Sequence, residues 1–152
     1  MATREVCIDD IPSMVGEELG SSDWHLVTQE DIQKFAEATG DHQWIHLDVE
    51  RAKAESPYEQ TIAHGYYTLS LMPMLMAQVW KITGARMGVN YGLNKLRFPA
   101  PVPVGNKVRA HAKLLEAKEI EGGYQYVVGA TIEVEGNEKP AAAIEAIFRT
   151  YN

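Results

Sequence analysis

At 152 residues the chain is long enough for one domain with a real core. A formal net charge of −7 and a pI near 5.2 argue against nucleic acid as the main partner, because phosphate binding is driven by clustered Lys and Arg. Cys7 is alone, so there is no internal disulfide, and the most apolar segment falls short of the roughly 20 residues that span a bilayer.

The opening "MATREVCIDD" lacks the apolar core of a signal peptide, so the expectation is a cytoplasmic protein with no membrane partner. Residues 1–20, punctuated by Pro12, Gly16 and Gly20, are expected to be irregular. A short strand is predicted over Trp24 to Val27. Thr28 then reads as an N-cap, with Asp31 three positions on in a near capping box. Ile32, Phe35 and Ala36 follow i, i+3, i+4 spacing, which predicts an amphipathic helix over 29–39 ended by Gly40. The stretch "TGDHQWIH", Thr39 to His46, therefore reads as a loop that carries one Asp and two His. Asp48 can cap a second short helix through "VERAKAE".

Next comes "HGYYTLSLMPMLMAQVW", apolar on every side, and a helix of that kind belongs in the middle of something. Pro73 cannot donate to the carbonyl of Leu69, so a kink or break is predicted there. The methionines read as core filler. A strand is expected within Gly88 to Phe98, followed by the proline-stiffened connection "PAPVPVG". From Lys107 to Leu114 apolar and polar residues alternate strictly, and the pattern recurs from Tyr124 to Val134 and from Ala142 to Phe148, with turns at "EGGY" and "EGNEKP". These are antiparallel strands with one dry face. The fold class is α+β in a single domain over 1–152, a sheet wrapped around a long central apolar helix.

Three stretches, "FAEATGDHQWIHLD", "TIAHGYYTLSL" and "NYGLNKLRFPAPVPVG", resemble the MaoC-like dehydratases, which include the (R)-specific enoyl-CoA hydratases, or hydratase 2. The resemblance covers about residues 20–150 in the family's order and implies the hot-dog fold. It also implies a hydratase motif, an Asp and a His separated by four residues, which here falls on Asp41 and His46. Hydrating an enoyl thioester needs one group to take a proton from water and another to deliver one to the α-carbon on the same face. A carboxylate and an imidazole sharing one water can do both. From the residues alone Asp41 can equally be a turn residue, and His46 a hydrogen-bonded core histidine.

The thioester oxygen needs a donor, and by resemblance this is the N–H of Gly65; the alternative is that Gly65 only eases a tight turn into the helix. His64 is read as structural, pointing away from its own helix start. Ser70 matches a position some members use near the thioester, or bonds back to its own helix. Gln43-Trp44-Ile45 stands where many relatives carry Asn-Pro-Leu or Asn-Pro-Ile, so Trp44 either reshapes the acyl pocket or packs on the central helix. Lys95 and Arg97 either reach a CoA phosphate or form a solvated strand face. No metal is expected, since the His spacing suits none and no Cys pair exists. The expected activity is reversible syn addition of water to a trans-2-enoyl-CoA, with CoA entering as part of the substrate, no separate cofactor, and a homodimer as the assembly. Two alternatives stand beside it, a thioesterase on the same scaffold and a non-catalytic acyl-CoA-binding subunit of a dehydratase.

Overall fold

The computed structural model describes residues 3–152, and its strands lie where the alternating stretches are. β5 (Met87–Arg97), β6 (Lys107–Ile120), β7 (Gly123–Val134) and β8 (Ala142–Tyr151) are antiparallel neighbours in the order β6-β7-β8-β5. β2 (Glu18–Ser21) extends the sheet beyond β6, and the two-residue β3 (His25–Leu26) pairs with β6 as well. Val108, Ala110, Ala112 and Leu114 on β6 are wholly buried, while Lys107, His111 and Lys113 between them are exposed. Period-two patterning thus becomes one dry and one wet face.

The dry face is rich in alanine, including Ala110, Ala112, Ala130, Ala142 and Ala146, which leaves room for a helix to lie close. That helix is α4 (Gly65–Ser70) continued by α5 (Met72–Val79), with the break at Leu71. Pro73 stands in the first turn of α5, where a missing amide costs nothing, so the interruption falls two residues ahead of the proline. Leu75 is fully buried, and Met72, Met76 and Val79 join it in the core with the sheet. This is the hot-dog arrangement expected.

Three details differ from the sequence reading. The segment before residue 20 is ordered: β1 (Arg4–Cys7) pairs in parallel with β4 (Trp80–Thr83), and a 3₁₀ helix runs over Ile8–Met14. Ile8, Ile11 and Met14 recur every third residue, the period of a 3₁₀ helix, and all three are buried. The central helix is not buried all round. Tyr66 is 68% exposed and Met74 40%, with Ser70 and Ala77 on the same side, because the sheet covers only one flank. The "TGDHQWIH" stretch is a loop only to Gln43, after which Trp44–Leu47 forms one helical turn, α2.

α1 (Gln29–Thr39) starts as read: the Thr28 hydroxyl accepts from the amide of Asp31, a cap worth about 1 kcal/mol. It ends at Gly40, whose φ of 82° is left-handed, with its N–H on the carbonyl of Ala36. Asp48 caps α3 (Val49–Glu55) through the amide of Arg51. In "PAPVPVG" the non-proline residues make the ties: the carbonyl of Val102 accepts from Ala63, and the amide of Val104 donates to Thr61. This pins the segment before α4 to the sheet's far connection. Among the described residues no helix is long and apolar enough to cross a membrane.

Candidate active site

Three chain segments converge beside the start of α4. The first is the exit from α1. Gly40 turns the chain, and Asp41 follows with its carboxylate exposed and its Oδ1 accepting from the amide of Gln43 at 3.3 Å. The second is α2, which carries His46 inward to 9% exposure. Gln29, at the head of α1, donates through Nε2 to the carbonyl of His46 at 2.7 Å and accepts at Oε1 from Thr61 at 2.7 Å. The third is the stretch 61–64 leading into α4, where the carbonyl of Ile62 faces His46 Nδ1 at 2.7 Å.

These bonds fix tautomers. A carbonyl only accepts, so His46 carries its proton on Nδ1 and presents a bare lone pair at Nε2. The His46 pKa is lowered from 6.5, first by burial; the bond to Ile62 opposes this, His64 lowers it further and Asp41 raises it. Neutral at pH 7, His46 is an acceptor beside a carboxylate.

His64 is the residue the sequence reading misplaced. Its extended backbone, φ −59° and ψ 138°, turns the side chain back across the site instead of away from it. The ring is 2% exposed, stacks on His46 with centroids 3.9 Å apart and planes at 25°, and donates from Nε2 to the main-chain oxygen of Asp41 at 3.0 Å. Spacing along the chain carried no signal for this, since 23 positions separate Asp41 and His64. Donor atoms of Asp41, His46 and His64 lie within 4.8 Å of one another, a proximity invisible in the sequence. A tetrahedral zinc needs neighbouring ligand atoms about 3.4 Å apart, so the trio would have to close in to hold one.

A cavity of about 270 Å³ opens beside His46, lined also by Ile62, Gly65, Thr68, Phe98 and Val102. Gly65 is the first residue of α4, so its amide has no partner within the helix. A Cβ there would come within 2.8 Å of the Phe98 ring, so glycine is what lets that ring lie against the helix start. The structure therefore puts His46 and Gly65 on the wall of one cavity, with Asp41 close to His46 but outside that lining.

The remaining candidates fall elsewhere. Ser70 donates to the carbonyl of Tyr66 at 2.6 Å, the back-bonded alternative, and lines a second cavity of about 330 Å³ with Leu69, Pro73, Leu93 and Phe148. Trp44 is half-buried under the Arg51 guanidinium, 4.2 Å from its ring centroid, and lines neither cavity; this contact is with α3, not the central helix. Lys95 pairs with Glu145 at 3.5 Å and Arg97 bonds the carbonyl of Leu96. In register they flank the inward Leu96, so both point from the sheet's outer face. There they line an outer-face groove with His111 and Lys113, apart from the cavity beside His46.

The MaoC like domain model matches residues 10–137. Over 143 residues the chain is 50% identical to 3-hydroxyacyl-thioester dehydratase Z of Mycobacterium tuberculosis (strain ATCC 25618 / H37Rv), covering 93% of this chain and 94% of that protein. It is 44% identical over 141 residues to Nodulation protein N of Rhizobium leguminosarum bv. viciae, covering 91% and 87%. Among solved structures it superposes on R-hydratase PhaJ1 from Pseudomonas aeruginosa with a TM-score of 0.73 at 25% identity, covering 91% of this chain and 82% of that one.

Proposed function

Because this chain belongs to the MaoC-like domain family, we propose that it is a hydro-lyase of the (R)-specific enoyl-CoA hydratase type, adding water reversibly to a trans-2-enoyl thioester. The observation that carries this reading is that His46 and Gly65 line one cavity while a carboxylate oxygen of Asp41 lies within 4.8 Å of a His46 ring nitrogen.

In the proposed step a water donates one O–H to the Asp41 carboxylate and one to His46 Nε2, which leaves its oxygen lone pair free for the β-carbon. As the C–O bond forms, the alkene π electrons move onto the α-carbon and the thioester oxygen. The Gly65 N–H holds that developing charge. The proton removed from water stays on the Asp41–His46 pair and is delivered to the α-carbon on the same face, giving the 3-hydroxyacyl thioester. The reverse sequence is dehydration. The pair titrates as a unit, so the proton belongs to both. CoA arrives with the acyl group, and the reading needs no separate cofactor and no metal. It places the enzyme in the cytoplasm.

We assign a homodimer as the working assembly. The exposed flank of α4 and α5 and the uncovered β5 lie side by side around the second cavity, so a second copy closes both.

The test follows enoyl absorbance with a short trans-2-enoyl-CoA. Asp41→Asn keeps the size and removes the charge, and is expected to lower kcat by about 10²–10⁴-fold. Turnover near that of wild type would overturn the assignment. Release of free thiol in place of absorbance loss would point to a thioesterase, and binding without turnover to a non-catalytic subunit.

A further inference from the structure

One buried imidazole beside the proposed pair has no step in the chemistry. His64 is 2% exposed, with the Phe35 ring on it at 4.9 Å and the His46 ring at 3.9 Å. Its Nε2 donates to the main chain of Asp41, and its Nδ1 is buried with no hydrogen-bond partner. A side chain kept only to fill space would not bring an unpartnered lone pair into the interior, where leucine or phenylalanine would fill the same volume without one. The polar ring therefore has a task beyond packing.

The geometry shows which. The bond to Asp41 goes to a backbone oxygen, so it sets where the residue stands and leaves the carboxylate free. The ring face lies along His46, whose other tie is Ile62, two residues before His64. The residue after His64 is Gly65. The end of α1, the α2 turn and the head of α4 thus meet on one side chain.

We propose that His64 is a positioning residue of the hydration site, holding the Asp41 main chain with its Nε2–H and the His46 ring with its face, so that both reacting groups keep a fixed distance and a common aim. This rests on the hydratase reading above.

Three variants test it. Gln places its amide nitrogen where Nε2 stands, Asn ends near Nδ1 and falls short of Asp41, and Leu keeps the bulk alone. With a short trans-2-enoyl-CoA, His64→Asn and His64→Leu are expected to lose about 100-fold in kcat, the scale of a misplaced reacting group. KM stays within about threefold and His64→Gln recovers at least about tenfold, the pattern of a contact that matters in the transition state. Melting temperatures stay close to wild type. If His64→Leu does not fold, the Asn and Gln pair decides. Equal rates for Asn and Gln, or a His64→Asn rate within about threefold of wild type, overturn the proposal. If the wild type hydrates no enoyl thioester, the hydratase reading fails by itself. Nitrogen-15 histidine spectra then decide the tie, with one sharp His46 Nδ1–H signal in wild type and loss of that single state in His64→Asn. An unchanged spectrum in that variant overturns it.

Discussion

β7 and β5 belong to the same sheet and both carry apolar residues, yet they meet opposite fates. β7 has β6 and β8 on its two edges, and Tyr126, Val128, Ala130, Ile132 and Val134 are all buried. β5 has β8 on one edge only, and ten of its eleven residues are exposed, among them Met87, Val89, Tyr91 and Leu93. A long edge with apolar side chains invites pairing unless it is blunted. The charges that would blunt it, Lys95 and Arg97, sit only at its far end, which leaves Met87–Leu93 open. Patterning within a strand says which residues want cover. It does not say whether the cover comes from the same chain.

Substitutions can break this contrast. The largest effect is expected in β7: Ile132→Ala empties a fully buried position and should lower unfolding free energy by about 2–5 kcal/mol in a urea titration, whereas an equal loss from Val89→Ala would erase the contrast. Next is the joint Val89→Lys and Leu93→Lys change on β5. In a two-fold contact centred on Tyr91, residue 89 of one copy faces residue 93 of the other, so like charges meet and sedimentation should show a dimer become a protomer whose circular dichroism is unchanged. A protomer that unfolds would mean β5 supports its own chain more than a neighbour. The smallest concerns the covered site. Since the His46 pKa lies below 6.5, the stability this neutral ring contributes is complete above pH 6.5 and is lost as pH falls through the folded value. The stability difference between wild type and His46→Gln, followed by denaturation, should therefore shrink on acidification. A difference that grows would mean the ring is buried charged.

Most strands and α1 were legible because their signals are local. Alternation gave β6, β7 and β8, and Thr28 and Gly40 bounded α1 to the residue. The 3₁₀ helix escaped because Ile8, Ile11 and Met14 follow a period of three, which reads as neither helix nor strand. In the candidate site, the nearness of Asp41 to His46 was legible because both lie on one short stretch. His64 was not, since its partners come from the ends of α1 and α2, and only the folded chain brings them to it. Lys95 and Arg97 were ambiguous for a related reason: a strand's sequence separates two faces without saying which one overlooks the cavity.

Gln29 gives the site a control point that never handles a proton. Its amide is read in one direction only, hydrogens toward the carbonyl of His46 and oxygen toward the hydroxyl of Thr61. A glutamate of the same length would set oxygen against oxygen at the first contact and satisfy the second. Divergence at this single helix-opening codon thus offers a lineage a way to loosen the imidazole's seat while Asp41, His46 and Gly65 stay as inherited.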